Sequence, residues 1–437
     1  MEDFDNSAPP SLLDTWPTLT PEERVSAFES LPRAEVDDFF FSLSSFHQAE
    51  LLQSLPEGQQ RLWLRVLAPD DAADLIQLWP EEDRRRLLDM LDDVNRREVV
   101  ALLAYAEDEA GGLMNPRFAR LRPEMPTDEA FAYLRRQAPQ LETIYYAYVL
   151  DSSQRLLGVL TIRQLFAADR SKTVRDVMNP HPISVHEDTD QEALVKLFTE
   201  HHLLAIPVVD ADNRMVGIVT VDDIVDVAEE EASEDLQKVG GMEALGAPYL
   251  QTSLLQMIRK RAGWLSVLFL GEMLTATAMS YFEAEIARAV LLVLFIPMII
   301  SSGGNSGSQA TTLVIRAMAV GEIRLRDWWR VVRREIAAGA ALGGVLGIIG
   351  VTRILLWQAA IQPYGPHYAV VALTVGCSLF GVVLFGTLAG SMLPFLLRRL
   401  GFDPASASAP FVATLVDVTG LVIYFTVASI TLSGTLL

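Results

Sequence analysis

The chain has 437 residues, too many for a single hydrophobic core, and a formal charge of −21. That charge is unevenly placed: residues 1–250 carry 22 Lys/Arg against 48 Asp/Glu, whereas residues 251–437 carry 13 against 8. An acidic half without a basic stripe excludes nucleic acid as the partner and suits a cationic one, and a single cysteine, Cys377 in an apolar run, excludes a disulfide framework and a thiolate metal cluster.

The opening MEDFDNSAPP is acidic and turn-rich, where a signal peptide needs a basic stretch and then an apolar run, so the N-terminal half is expected to stay in a reducing cytosol. From residue 10 to about 110 a theme repeats: a turn with proline or acidic residues, then an apolar helical pattern of about a dozen positions. LTPEERVSAFESLPRAEVDDFFFSL, APDDAADLIQLWPEEDRRRLLDML and DVNRREVVALLAYAEDEAGGLM all read this way, with Thr20, Asp70 and Asp92 as caps. The expectation over 1–112 is an α-helical, superhelical N-terminal domain.

A different repeat follows. Leu113-Met114-Asn115-Pro116 returns as Val177-Met178-Asn179-Pro180, and Gly158-Val159-Leu160-Thr161 as Gly217-Ile218-Val219-Thr220. Each copy reads as a short strand, a helix, two β-rich runs and a closing helix. In order, spacing and duplication this resembles a tandem CBS pair, an α+β regulatory module, over 113–176 and 177–227. The resemblance implies dimerisation and an adenine nucleotide such as ATP, which would stack on Tyr146 and pair with Arg163. Read singly, a core aromatic and a solvated arginine are the commoner occurrences. Thr220 is followed by Asp223, where such modules hold a ribose, but the first copy has Gln164 in that place.

Residues 224–246 read as an acidic helix ending at Gly240-Gly241, overlapping the linking acidic helix expected over 228–258, which leads to Arg259, Lys260 and Arg261. From 259 to 437 the chain reads as an all-α membrane domain. Apolar runs of about 20 residues can cross a hydrocarbon core of about 30 Å, and five are expected at about 262–282, 287–316, 336–358, 368–397 and 410–435. Lys/Arg residues gather before the first span, after the second (Arg316, Arg324, Arg326, Arg330, Arg333, Arg334) and after the fourth (Arg398, Arg399). The opposite loops hold only Arg288. The positive-inside rule then places the N-terminal half in the cytosol and the C-terminus outside a cytoplasmic (inner) membrane. RLRDWWRVVRRE, with Trp328 and Trp329, fits a helix lying on the inner headgroups.

An ionisable side chain inside a span needs a partner or a cavity. Asp417, in FVATLVDVTGLVIYF between Thr414 and Thr419, is read as lining a cation path. Glu272 is a second such residue, in the first span or a subunit contact, and Arg353 in the third is expected to snorkel outward. The second span carries Pro297 and then SSGGNSGSQ, which suits either close packing or a backbone opened to water. Asn305 and Gln309 are i,i+4, so their carbonyl oxygens share a face and can meet the water shell of a hydrated ion; Mg2+ keeps its waters and prefers a carboxylate or two.

SSGGNSGSQATTLVIRAMA, LRDWWRVVRRE, LPFLLRRLGFDPA and PFVATLVDVTGLVIYF, with the order of helical domain, CBS pair, acidic helix and five spans, resemble the MgtE family of Mg2+ channels. The resemblance implies a homodimer in the bilayer. Its path would run between spans two and five, with Asp417 at the selectivity site and Gly303, Gly304, Asn305, Gln309, Ala413 and Thr414 lining it. It also implies a gate closed by Mg2+ bound between crowded carboxylates, for which the chain offers Asp70, Asp74, Asp190, Glu192, Asp223, Asp226, Glu231, Glu234 and Asp235. His202 stands where relatives can carry a carboxylate.

Other readings are a CBS-regulated transporter of another divalent cation (Co2+, Mn2+, Ni2+), or a carrier of an anion, for which Arg353 is the one mid-span basic residue. An enzyme ranks last: there is no nucleophile–base pair, Walker loop or His-rich site among six histidines.

Overall fold

A computed structural model describes residues 11–249, 251–362, 364–433 and 435. The start of the expected N-terminal domain, with its acidic opening, lies outside the described residues, as does Gly434 at the end of the expected fifth span. The chain divides into two units, Met1–Glu230 and Glu231–Leu437.

The first unit opens with the helices Pro21–Glu29, Val36–Phe41, Ser45–Ser54, Glu57–Val66, Pro69–Gln77, Glu81–Leu88 and Asp93–Leu102. They run 6 to 10 residues, shorter than the dozen expected. Prolines 56, 69 and 80 stand at helix entries, so each apolar run is cut before it lengthens. Thr20 and Asp92 cap as expected: Thr20 shares a capping box with Glu23, and Asp92 accepts from the Val94 and Asn95 amides. Asp70 does not cap. Ala68 holds the cap position, and Pro69 at N1 pushes Asp70 into the first turn, where it is only 7% exposed. The aromatic core stacks Phe40 on Trp63 at 4.2 Å between ring centroids, and Phe28 tilts onto both.

Two three-stranded sheets follow, one per CBS copy. The first orders β1 (Arg120–Leu121), β2 (Tyr146–Leu150) and β3 (Leu156–Thr161); the second orders β4 (Val185–His186), β5 (Ala205–Val209) and β6 (Met215–Thr220). In each the first pair is parallel and the second antiparallel. The repeated tetrapeptides bind across the copies. Asn115 exchanges both backbone hydrogen bonds with Ile218 (2.7 and 3.0 Å), and Asn179 exchanges both with Val159 (2.8 and 3.0 Å). The repeated glycines make room for this crossing: a Cβ on Gly158 would lie 2.7 Å from the Asn179 carbonyl oxygen, and one on Gly217 would lie 2.7 Å from the Met114 side chain.

The acidic helix runs Val221–Val239, starting three residues before the expected position and stopping at the Gly240-Gly241 pair, where Gly241 has φ +76°. The linking segment is therefore not one helix: turns and irregular chain occupy the described residues between Gly241 and Ser253, which caps the next helix.

Among the described residues of the second unit, five helical segments are long and apolar enough to cross a membrane: Leu254–Tyr281, Val290–Ala319, Leu325–Ile361, Tyr368–Arg399 and Ala409–Thr431. The first starts before Arg259, Lys260 and Arg261, which lie inside it. RLRDWWRVVRRE forms no separate surface helix. After a short 3-10 turn, Trp328 begins a continuous helix to Ile361, because no proline or glycine separates the basic stretch from the apolar run. Arg353 sits over the Trp357 ring at 3.5 Å, one turn nearer the helix end. Spans two and four pack through glycines: a Cβ on Gly386 would run into the Gly303 backbone, and one on Gly390 into that of Gly307.

Candidate cation sites

In the first unit, Asp70, Asp71 and Asp74 stand on the short helix Pro69–Gln77, while Asp222, Asp223 and Asp226 stand at the start of the connecting helix. The fold turns these two carboxylate rows toward each other. Burial first, then the charges of Asp71, Asp223, Glu107 and Glu230, push the Asp74 carboxyl up to about 7. Burial also pushes Asp223 up to about 7, with Asp222 and Asp71 adding to it, although the Thr220 hydroxyl donates to Asp223 at 2.6 Å and opposes the rise. Asp70 is raised well above the carboxylate range by burial and then by Asp223, Asp71 and Glu142. Burial also raises Asp71, Glu142 and Asp226. Among the described residues no three His, Cys, Asp or Glu side chains already stand at metal-ligand spacing. The arrangement is a set of like charges that a multivalent cation would draw closer.

Of the expected sensor residues, the structure brings Asp70, Asp74, Asp223 and Asp226 together. Asp71, Asp222, Glu107, Glu142 and Glu230 join them without having been singled out, because their neighbours are distant in sequence. Other expected sensor residues have local partners. Asp190 caps the helix Gln191–His201, accepting from the Glu192 amide at 2.9 Å, and the Glu192 side chain pairs with Lys196 at 2.7 Å. In the second unit Glu234 pairs with Lys238, and Glu231 and Asp235 share its helix. His202 is exposed and takes the left-handed C-cap position, φ 51°.

In the membrane unit Asp417 is half-buried on the fifth span, and its carboxyl lies beside that of Glu272 on the first. A glycine beside Glu272 permits this: a Cβ on Gly271 would lie 2.9 Å from the Thr414 methyl. The Thr414 and Thr419 hydroxyls donate back into their own helix, to Pro410 (3.1 Å) and Leu415 (2.6 Å). On the second span the small residues divide by face. Gly303 meets Val382 and Val416, and Ser306 bonds Thr387 at 2.8 Å, which is helix packing. Gly304 faces Ala413 of the fifth span at 3.6 Å, and Asn305 and Gln309 are exposed.

For a nucleotide, Tyr146 is half-buried on β2 and Arg163 is exposed. Gln164 completes a capping box with Thr161, the role that Asp223 plays for Thr220.

These features define a multi-pass membrane protein that joins a helical domain and a CBS pair to five apolar helices, with a carboxylate cluster in the first unit and Asp417 beside Glu272 in the second. Family models match at residues 8–108 (MgtE intracellular N domain), 110–171 and 174–230 (CBS domain) and 296–427 (MgtE, divalent cation transporter). The magnesium transporter MgtE of Thermus thermophilus is 42% identical over 98% of this chain and 93% of its own. That of Enterococcus faecalis is 31% identical over 93% of this chain and 97% of its own. A solved structure of the cytosolic domain of the Mg2+ channel MgtE in complex with ATP is 45% identical over 49% of this chain and 88% of its own, with a TM-score of 0.47. The chain belongs to the MgtE family of magnesium transporters.

Proposed function

We propose that this protein is a Mg2+-selective channel of the cytoplasmic membrane, gated by intracellular Mg2+. The carrying observation is the meeting of the Asp70–Asp71–Asp74 and Asp222–Asp223–Asp226 rows: burial, and then the charges of neighbouring carboxylates, raise the carboxyl pKa values of Asp70, Asp71, Asp74, Asp223 and Asp226. Coulomb repulsion is worth about 1 kcal/mol per neighbouring pair in a watery setting, so several pairs relieved by Mg2+ would bias a two-state gate by a few kcal/mol. The further acidic residues Asp190, Glu192, Glu231, Glu234 and Asp235 belong to the same sensor in this reading. It is a binding and conduction function, with no enzymatic step.

In the membrane, Asp417 with Gly304, Asn305, Gln309, Ala413 and Thr414 lines the path in a homodimer, and the C-terminus lies outside. A nearly intact hydration shell held by carboxylate and carbonyl oxygens is the environment Mg2+ prefers. ATP at Tyr146 and Arg163 is a separable element of the reading, tested by nucleotide binding to an Arg163→Ala variant.

Mg2+ flux into liposomes containing the purified protein tests the conduction reading. Flux should need Asp417, falling to the background of empty liposomes in Asp417→Ala. Flux that survives this change removes Asp417 from the path. Uptake that competes with Co2+, Mn2+ or Ni2+ but not with Mg2+, or with chloride alone, favours the other transport readings.

A further inference from the structure

Asn115 belongs to the repeated Leu-Met-Asn-Pro tetrapeptide, and its backbone does what the repeat requires by exchanging hydrogen bonds with Ile218. Asn179, its counterpart in the second copy, makes the same backbone exchange with Val159, and its exposed side chain stays local, with Nδ2 donating to the His181 carbonyl at 3.4 Å and Oδ1 accepting the His181 amide at 3.1 Å. The side chain of Asn115 does something the fold does not demand. It is fully buried. Its Nδ2 donates to Asp70 Oδ1 at 3.0 Å and to Glu142 Oε2 at 2.7 Å, while its Oδ1 accepts the Arg117 amide at 2.8 Å. That third bond fixes which end of the amide faces the acids. The Arg117 guanidinium is committed elsewhere: it pairs with Glu98 at 2.7 Å and bonds Asn95.

Two carboxylates from separate elements, the helix Pro69–Gln77 and the segment before β2, are therefore held by one neutral group. An amide satisfies their lone pairs but does not cancel their charge. The repulsion that a cation would relieve is kept, while the acids themselves are kept in place. We propose that Asn115 is a positioning residue of the cation sensor: it holds Asp70 and Glu142 in register in the cation-free cluster and so sets the Mg2+ concentration at which that cluster fills. This rests on the sensor reading above and adds Glu142 to it.

The test is thermal unfolding of the full-length protein in detergent, titrated with MgCl2, for wild type, Asn115→Asp, Asn115→Ala and Glu142→Gln. In Asn115→Asp a third carboxylate replaces the two donors. The cation-free protein should melt lower, Mg2+ should restore it to the Mg2+-bound wild type, and the half-saturating concentration should fall by about fivefold or more. Glu142→Gln keeps an acceptor for the amide but removes a charge, so the half-saturating concentration should rise by a similar factor. Asn115→Ala should melt lower with and without Mg2+, since it strands Asp70 without adding charge. An unchanged half-saturating concentration in both charge-altering variants, or a loss in Asn115→Asp that Mg2+ does not relieve, overturns the assignment. Should Asn115→Asp not fold even in Mg2+, Glu142→Gln decides alone, because Glu142 lies on the surface. A wild-type protein that Mg2+ does not stabilise overturns the sensor reading itself, and this proposal with it.

Discussion

Lys238, in the last turn of the connecting helix, donates to Asp403 Oδ2 at 2.7 Å, in the turn between the fourth and fifth spans, and also pairs with Glu234. Burial alone would lower its pKa, but the hydrogen bonds it donates to both carboxylates outweigh that and hold the ammonium above the ordinary lysine value. The same turn is fastened a second time, where Trp264 Nε1 donates to Ser408 Oγ at 3.2 Å.

Lys238→Ala should free the helix end from the Asp403 turn. A partly buried ion pair of this kind is worth about 1 kcal/mol, so a modest loss of melting temperature is expected. Proteolysis of the stretch 240–253 should be faster, and Lys238→Arg should restore much of the protection. Cleavage at the wild-type rate in Lys238→Ala would show that the pair does not hold the helix end.

The carboxyls of Asp74 and Asp223, raised to about 7, predict a pH dependence in cation-free buffer. Their folded pKa values lie above the unfolded carboxylate value, so the folded state binds the extra protons. The stability this contributes is present below about pH 4 and is lost as pH rises through about 7. The groups that face Asp74 are Asp71, Asp223, Glu107 and Glu230, all acidic, so no counter-titration offsets the trend. Melting of the full-length protein in EDTA should fall between pH 5.5 and 8.5, and Mg2+ should flatten the curve at the alkaline end. A melting temperature that rises over that range would contradict the cluster geometry.

Gly386→Ala should disrupt the approach of spans two and four, since its methyl would meet the Gly303 backbone, which cannot move as a side chain does. Overpacking of this kind costs about 1–3 kcal/mol. Gly344→Ala, with open space around its position, is the matched control and should leave the detergent melting temperature unchanged.

Much of this was legible in the chain. The duplicated tetrapeptides and glycines exposed the CBS pair because each has a partner in the other copy, so the repeat is also the contact. Asp417 stood out because a charge in an apolar run is rare. The pairing of Asp417 with Glu272 was not legible, since it depends on how the first and fifth spans are rotated. Nor was the role of Asn115, whose acids lie 45 and 27 positions away. Asp70 illustrates the limit of local rules: its helix-start position suggested a cap, but Pro69 took the first turn and the fold buried the carboxylate beside its like charges. The basic Trp-rich stretch misled in the same way, since amphipathic composition does not say whether a helix continues.

On the proposed reading the Asp70, Asp74 and Asp223 carboxylates sense Mg2+ and control the path. This is tested most directly by Mg2+ flux through reconstituted protein as Mg2+ on the face of the N-terminal domains is raised, comparing wild type with the triple variant Asp70→Asn, Asp74→Asn, Asp223→Asn. The account predicts that wild-type flux falls as that Mg2+ rises and that the variant's flux no longer responds over the same range. A variant that still closes at the wild-type concentration would contradict it.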